Sequence, residues 1–367
     1  MWVWIGLGGL MLVLVVQTIH LGVVLSSTDQ ASRGLGYFGL PPSGRDAFRA
    51  RLRRQAVLLS PILRLVGRFS AFHFDRASFE VDGLRGPKGT CTEDSFAAGA
   101  TYQPADEDIF VVTQMKCGTT WMQQVVYESL MRGAGDLVDT GTALYAVSPW
   151  LESVKSVSVE EAPLIGIGRP ARVIKTHFPA SVCPLDPHAK YVYVARHPVS
   201  CFASCVDFIA ANAGRLAPDT QLVEEWFCSD EMWWGPWPAH VEGWWNAARE
   251  RENVLFVHFE DMKADLAAVV RRVASFLDID ELSEGEVAEI VRKSGFDYMR
   301  EHERTFEMHP PHLLATDAEM FVKGTADRHE DVADDVRRRI STWCASRLSG
   351  ANYPMAERYP DTVPDGR

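Results

Sequence analysis

Apolar residues occur along the chain either in short continuous runs or in longer stretches with helical spacing. The short runs are rich in β-branched residues and predict buried strands at Ile109–Thr113, Arg172–His177, Tyr191–Ala195 and Val254–Phe259. The helical spacing predicts helices at Trp121–Arg132, Pro198–Ala211, Trp233–Arg251, Ala264–Leu277 and Ser283–Lys293. Apolar strands separated by helices predict an α/β fold, a single domain whose parallel sheet is covered by helices on both faces.

The first 28 residues differ from the rest because they contain no Asp, Glu, Lys or Arg. As a helix, about 25 such residues would extend roughly 37 Å, which is enough to cross the apolar core of a bilayer. A cleaved signal peptide is the alternative. Signal peptides usually carry basic residues before their apolar core, and no basic residue precedes the apolar stretch of this chain. We therefore predict an N-terminal transmembrane helix that acts as an uncleaved anchor over residues 1–28.

A basic segment follows this anchor. Residues 33–76 contain nine arginines and two acids, Asp46 and Asp75, and the arginines alternate with apolar residues. This pattern predicts amphipathic helices that either lie on anionic lipid or pack against the main domain. We assign residues 29–103 to this juxtamembrane segment and a linker. Basic residues flank the apolar span only on its C-terminal side, so we expect a single-pass membrane protein with the bulk of its chain in the cytosol.

The net charge is distributed unevenly along the chain. Residues 1–76 contain nine Arg and three Asp, a net charge of +6, and the whole chain carries −12, so residues 77–367 carry −18. An acidic body lacks the basic surface of nucleic-acid binders, and no nucleic-acid partner is expected. The seven cysteines include no CxxC pair, so neither a disulfide framework nor a zinc site is indicated.

The loop between the first predicted strand and the first predicted helix of the domain has the features of an anion site. It reads Gln114-Met115-Lys116-Cys117-Gly118-Thr119-Thr120. The free amides and the dipole of the following helix face such a loop, while the lysine adds a positive charge and the threonines add hydroxyl donors. The nucleotide-binding P-loop has its lysine directly after the last glycine, whereas here the lysine precedes the glycine.

Two further predicted strands end in basic residues. Lys175 and His177 lie two apart at the end of the second strand, so both are expected to face one site. Arg196 directly follows the third strand, and Ser204 lies two turns into the next helix. Ligands of parallel sheets bind at the carboxyl ends of the strands. A histidine there can accept a proton and an arginine can bind phosphate, although each of these residues alone also fits a structural role.

Taken together, these motifs resemble the PAPS-dependent sulfotransferases. KCGTTW is similar to that family's P-K-S-G-T-T-W loop, and KTH followed by KYVYVARHP, with a serine eight residues after the arginine, matches the family's order and spacing. FEDMK before a helix and the tryptophan-rich WWGPWPAHVEGWW resemble two more of its blocks. The resemblance extends over roughly residues 104–348. We therefore expect a P-loop-like sulfotransferase domain at 104–350 and a C-terminal tail at 351–367.

The resemblance implies roles for individual residues. His177 would be the general base, with Lys116 and Lys175 as catalytic cations. The donor would be 3′-phosphoadenosine-5′-phosphosulfate (PAPS), and fixed cations would replace a metal, so no metal site is expected. The implied PAPS-binding residues are Lys116, Cys117, Gly118, Thr119, Thr120, Trp121, Arg196, Ser204, Phe296, Val322, Lys323 and Gly324.

Several positions depart from the family's pattern. Val322 stands where the family has an arginine that binds the 3′-phosphate, which leaves Arg196, Ser204 and Lys323, with Arg328 as a further candidate. Cys117 replaces the loop serine, and Phe259 replaces a tyrosine. The family's C-terminal dimerisation motif is not recognisable, so the oligomeric state stays open.

Two other functions also stay open. A nucleotide-dependent kinase would consume ATP with magnesium, and an inactive membrane-tethered binding protein would fit the departure at Val322. The sequence does not specify the acceptor, a small molecule or a lipid. Its tryptophans at 226, 233, 234, 237, 244 and 245 either line an apolar pocket or pack in the core. Together with the anchor they favour a lipid or another hydrophobic alcohol, and an amine is also compatible.

Overall fold

The computed structural model describes residues 2–69, 72–317, 321, 324 and 327–362. Within these ranges a short antiparallel hairpin precedes a parallel sheet of four strands. The hairpin consists of β1 (Ser78–Val81) and β2 (Leu84–Pro87), and the parallel sheet consists of β3 (Asp108–Thr113), β4 (Arg172–Thr176), β5 (Lys190–Ala195) and β6 (Val254–His258). The strand order of the parallel sheet is β4-β3-β5-β6. The predicted fold class is confirmed.

Helices flank this sheet and continue at both ends of the described chain. The α-helices are α1 Trp2–Ala31, α2 Pro42–Leu58, α3 Ser60–Phe69, α4 Phe74–Ala77, α5 Glu93–Ala100, α6 Thr119–Leu130, α7 Leu137–Thr140, α8 Pro198–Ala213, α9 Thr220–Phe227, α10 Trp237–Glu250, α11 Phe259–Ala264, α12 Leu266–Phe276, α13 Glu284–Lys293, α14 Phe296–Glu301, α15 Glu303–Phe306, α16 Asp334–Arg347 and α17 Met355–Arg358. Short 3₁₀ helices lie at Leu144–Ala146, Gly214–Leu216, Arg328–Asp331 and Pro360–Thr362.

The core of the domain lies on both faces of the sheet. All six residues of β3 are buried, because β4 and β5 pair with it on either side and helices cover both of its faces. Such a strand needs apolar residues at consecutive positions, which is the pattern of Ile109 to Val112. Because the four strands are parallel, Thr113, Thr176 and Ala195 lie at the same edge of the sheet. This edge is where ligands of such sheets bind.

One predicted helix begins later than the sequence pattern indicated. Helix α10 starts at Trp237 and not at Trp233. Trp234 and Gly235 have positive φ angles of 61° and 87°, which form a turn, and Pro236 caps the helix that follows. The tryptophans before that turn therefore pack as a loop. The apolar spacing of a helix alone does not reveal such a turn.

The juxtamembrane segment and the C-terminal tail both contact the domain. On α2, the Arg45 guanidinium donates to the carbonyl oxygens of Arg304 at 2.7 Å and of Gly141 at 2.6 Å, and Arg49 forms a buried ion pair with Glu307. Phe48 and Leu52, on the same helix, are buried. This side of α2 therefore contacts the domain, as the packing alternative expects, while Arg51 and Arg54 of the same helix are exposed. At the other end, the described part of the tail buries the side chains of Tyr353, Met355 and Tyr359.

Helix α1 is long and apolar enough in its segment Met11–Ala31 to cross a membrane, by length and composition. Signal sequences and core helices pass the same test, so the anchor stays a prediction. Its exposed apolar side chains are those of Met11, Leu12, Val13, Val15, Val16, Ile19, Val23 and Leu25. The chain just after α1 contacts the domain, since the amide of Gly34 donates to the carbonyl oxygen of Val154 at 2.9 Å.

The buried ion pair between Arg49 and Glu307 predicts a measurable stability difference between two arginines of α2. Arg49→Ala leaves the Glu307 carboxylate buried without this partner, which costs about 3 kcal/mol or more. Arg53→Ala, the control, breaks an exposed pair with Asp317 that water replaces, and should change stability little. Urea unfolding of the full chain in detergent measures both variants. Equal unfolding midpoints for Arg49→Ala and Arg53→Ala would show that the ion pair between Arg49 and Glu307 does not stabilise the domain.

Candidate active site

The loop between β3 and α6 turns sharply through two residues with left-handed backbone. Lys116 has a φ angle of 65° and Gly118 has one of 102°, and α6 begins immediately afterwards at Thr119. A Cβ atom at position 118 would lie 2.8 Å from the Phe259 ring, so glycine is required for conformation and for space. A non-glycine residue held in this conformation, as at Lys116, stores strain of the kind found at functional sites.

One cavity of about 510 Å³ lies at the carboxyl edge of the sheet and contains most of the predicted site residues. Its lining comes from the β3–α6 loop, from the ends of β4 and β5, and from α8 and the chain around α14. The predicted site residues in this lining are Lys116, Gly118, Thr119, Thr120, Trp121, His177, Arg196, Ser204, Phe296 and Gly324. Val322 and Lys323 lie outside the described residues. The side chains predicted from separate motifs are therefore neighbours.

Two predicted residues do not reach this cavity. The Cys117 side chain is fully buried, with its sulfur 3.6 Å from that of Cys201 in α8, so its thiol points into the core. The ammonium of Lys175 donates to the Tyr145 hydroxyl at 3.1 Å and lies 3.3 Å from the centroid of the Trp150 ring. The expectation that Lys175 faces the same site as His177 was wrong, because these aromatic side chains enclose its amine.

The imidazole of His177 is oriented by the end of β3. Its Nδ1 lies 2.8 Å from the carbonyl oxygen of Thr113, an acceptor, so Nδ1 carries the proton of the neutral ring and Nε2 is the nitrogen that accepts another. The backbone amide of His177 donates to Glu152 Oε1 at 2.8 Å. Burial, together with the nearby charge of Lys175, holds the pKa of His177 well below its usual range. The ring is therefore neutral, in its basic form, at physiological pH.

The cations of the cavity lie around the loop. The Lys116 ammonium stacks 4.6 Å from the centroid of the Phe208 ring, and burial lowers its pKa to about 8. The Arg196 guanidinium donates to the carbonyl oxygen of Lys116 at 3.1 Å and lies 4.3 Å from the Phe259 ring centroid. This hydrogen bond holds the backbone of Lys116, the residue of the turn with the strained φ angle.

The charged residues in the cavity lining are mostly basic. Within the described lining they are Lys88, Lys116, Lys155, Arg196 and Lys263, against a single acid, Asp29. A positive cavity in a chain with a net charge of −12 favours an anionic ligand. In the described part of the chain, no cluster of three or more His, Cys, Asp or Glu side chains forms a candidate metal site.

Aromatic side chains form a second wall beside the loop. Trp121 and Phe259 meet edge to face at 5.2 Å, and the Lys263 ammonium lies 5.6 Å from the Trp121 ring. Gly324 passes so close to Phe296 that a Cβ atom there would lie 2.5 Å from that ring. Flat aromatic faces next to cations suit a purine base attached to phosphates.

Arg328, a candidate phosphate ligand, is engaged elsewhere. Its guanidinium pairs with Asp207 at 2.7 Å and with Asp331 at 3.1 Å, and it is absent from the cavity lining. Two carboxylates already balance its single charge. The structure does not bring Arg328 to the site.

Some lining residues have no counterpart in the sequence prediction. Lys263 lies in the FEDMK block, where its basic charge next to a recognised motif was an available signal. Trp150, Phe208 and His309 surround His177 and Lys116 through contacts between segments far apart in the chain. Side chains of α1 also reach the lining, and no local pattern reveals such a contact.

Comparison with known proteins agrees with this geometry. The family model for the sulfotransferase domain matches residues 106–352. Sulfotransferase 1C2 of Oryctolagus cuniculus is 28% identical over 233 residues, which cover 61% of this chain and 75% of that protein. The amine sulfotransferase of the same organism is 31% identical over 204 residues, covering 54% of this chain and 65% of that protein.

The fold is also that of solved proteins. The mouse sulfotransferase SULT7A1, solved in complex with PAP, superposes with a TM-score of 0.59 at 19% identity and covers 78% of this chain and 100% of its own. Retinol dehydratase, solved with retinol and PAP, gives a TM-score of 0.59 at 20% identity, covering 77% of this chain and 95% of its own. The chain belongs to the sulfotransferase family, and it is an enzyme that transfers a sulfuryl group to an acceptor.

The orientation of His177 predicts a titration that can be observed directly. Nitrogen NMR of the imidazoles should show the Nδ1–H form and a pKa well below 6.5. Lys175→Met removes a neighbouring positive charge and should therefore raise the pKa of His177. His258, whose burial lowers its pKa to about 4, is the control and should not respond. An unchanged pKa of His177 in the Lys175 variant would contradict this electrostatic coupling.

Proposed function

We propose that this sulfotransferase uses PAPS as its donor and transfers the sulfuryl group to a hydroxyl, or an amine, of a small-molecule or lipid acceptor. The observation that carries the proposal is that Lys116, His177 and Arg196, from the ends of three neighbouring strands, line one positively charged cavity. Two solved proteins of the same fold were crystallised with PAP, the product that PAPS leaves after transfer.

The residues of the donor end fit such a nucleotide. The first turn of α6 presents the amides and hydroxyls of Thr119 and Thr120 for the 5′-phosphosulfate, beside the Lys116 ammonium. Trp121 and Phe296 supply aromatic surfaces for the adenine. Arg196 and Ser204 line the same cavity and would bind the 3′-phosphate. We include Lys263 with these residues because its ammonium lies over Trp121.

His177 has the geometry of the base. Its Nε2 would take the proton of the acceptor hydroxyl while the acceptor oxygen forms a bond to sulfur and the bond from sulfur to the 5′-phosphate oxygen breaks. The leaving electron pair stays on that phosphate oxygen, where the Lys116 ammonium and the helix amides stabilise it. Positioning of the reactants and stabilisation of the developing charge would supply the catalysis, as they do in phosphoryl transfer.

Lys175 takes a supporting role in this proposal. Its amine is enclosed by Tyr145 and Trp150 and acts on the reaction through the potential at His177 and not by contact. Cys117 contributes only backbone to the loop, because its thiol faces Cys201. A kinase reaction, the second candidate, would need a magnesium site near the phosphates.

The acceptor end of the cavity is aromatic and apolar. Trp150 and Trp234 pack on the His177 ring at 5.3 and 4.7 Å, and Phe208 and His309 extend this surface. Such a lining favours a hydrophobic acceptor. With α1 as a single-pass anchor and the catalytic domain in the cytosol, that acceptor would be a lipid or another membrane-soluble alcohol.

The decisive test is PAPS consumption by the purified full chain in the presence of EDTA. We expect sulfation of a model alcohol such as benzyl alcohol to continue without divalent metal. His177→Asn should reduce the rate about a hundredfold or more and leave PAP affinity in calorimetry nearly unchanged. The exposed His188 provides the control variant His188→Asn, with the parent rate.

Three outcomes would overturn the proposal. Full activity of His177→Asn would remove the base, and a requirement for ATP and magnesium would favour the kinase. PAP binding without any turnover of alcohols or amines would favour the inactive binding protein.

The pKa values predict the pH dependence of kcat/KM for PAPS, which reports groups of the free enzyme. His177 must be neutral, and its pKa lies well below 6.5, so activity is already present at that pH. Lys116 must be charged, so activity falls as the pH rises through its pKa of about 8. In Lys116→Arg, whose guanidinium stays charged up to about pH 12, the alkaline decline near pH 8 should disappear. A decline that persists in this variant would assign it to another group.

A further inference from the structure

The last two turns of α1 form part of the wall of the active-site cavity. Leu25, Thr28, Asp29 and Ser32 all line the cavity that contains His177 and Lys116. Thr28 and Ser32 are buried, and the Ser32 hydroxyl donates to the carbonyl oxygen of Thr28 at 2.7 Å. A helix that only tethered the enzyme to a membrane would not need to reach the catalytic residues.

This end of α1 is tied to the segment that supports the base. The Lys155 ammonium lies 2.5 Å from Asp29 Oδ1, and the amide of Gly34 donates to the carbonyl oxygen of Val154 at 2.9 Å. The same segment begins with Trp150, whose ring meets the His177 imidazole edge to face at 5.3 Å. The helix therefore has a fixed position relative to the reacting end of the cavity.

One face of α1 carries a row of apolar residues, interrupted by Thr18, that leads to this wall. Residues three, four and seven apart on a helix share a face. The apolar row is Met11, Leu14, Leu21 and Leu25, and its polar end is Thr28 with Ser32, which directly follows the helix. Met11 and Leu25 are exposed, and Leu14 and Leu21 are partly buried against the core. Leu25 and Thr28 belong both to the segment Met11–Ala31, which is long enough to span a membrane, and to the cavity lining.

Resting on the proposed function, we propose that α1 is a component of the acceptor site, and that the acceptor is a membrane alcohol with a long apolar chain. The chain of the acceptor lies along the apolar row of α1, and its hydroxyl enters the cavity past Leu25 and Thr28 to reach His177 Nε2. This arrangement places the reacting hydroxyl at the membrane surface, so the acceptor need not leave the bilayer.

The test uses two primary alcohols and the full chain in phosphatidylcholine nanodiscs. Hexadecanol is the membrane probe, and benzyl alcohol is the soluble probe. In Leu25→Trp the indole obstructs the path at the cavity, and a single methylene in a pocket can already change kcat/KM tenfold. We therefore expect a loss of about tenfold or more for hexadecanol and a smaller loss for benzyl alcohol. The affinity for PAP should not change.

The matched control is Val23→Trp. Val23 is an exposed apolar residue of the same helix that is absent from the cavity lining, and residues two apart point about 200° away from each other. This variant should retain the parent kcat/KM for both alcohols. Thr28→Trp is a second variant at the wall and should behave like Leu25→Trp. PAP calorimetry identifies a variant that has lost its fold.

The outcomes separate this inference from the proposed function. If benzyl alcohol is sulfated and hexadecanol is not, or if Leu25→Trp and Val23→Trp lose hexadecanol activity equally, the inference is overturned and the proposed function stands. If PAP binds but neither alcohol is sulfated, the inference is also overturned, and the result favours the inactive binding protein. If neither PAP binds nor alcohol is sulfated, the proposed function fails and the inference fails with it.

Discussion

The active site depends on one backbone constraint, the left-handed turn between β3 and α6. Lys116 and Gly118 adopt positive φ angles there, which directs the lysine into the cavity and starts α6 at the same point. Arg196, at the end of the neighbouring strand, donates to the carbonyl oxygen of Lys116 and so connects the two strand ends. The Phe259 ring fills the space that any side chain at position 118 would need. Base, cations and nucleotide surface are arranged around this turn.

Burial shifts the pKa values of His177 and Lys116 and so prepares these two groups for opposite roles. Loss of water lowers the pKa of both His177 and Lys116, but from different starting values. The histidine is neutral and can accept a proton, while the lysine, with a pKa of about 8, is still mostly charged at pH 7 and can stabilise an anion. Burial also lowers the pKa of Lys175, to about 7, and in its charged form Lys175 adds positive potential behind the histidine and favours the neutral imidazole. One physical effect therefore prepares both the base and its partner cation.

The sequence predicted the parts of the molecule that follow from local pattern. Apolar β-branched runs indicated the four parallel strands, and the strand-end motifs indicated Lys116, His177 and Arg196, because parallel strands end at one edge. It did not predict where side chains turn once packed, as for Lys175 behind Trp150 or Arg328 between Asp207 and Asp331. The contact of α1 with the cavity joins residues more than a hundred positions apart, and no local periodicity encodes it.

A crystal structure of the full chain with PAP tests the central claim most directly. The 5′-phosphate should lie within hydrogen-bonding distance of the amides of Thr119 and Thr120, with the Lys116 ammonium beside it and the adenine between Trp121 and Phe296. The 3′-phosphate should contact Arg196 and Ser204. PAP bound away from the β3–α6 turn, or a nucleotide held there through magnesium, would contradict it.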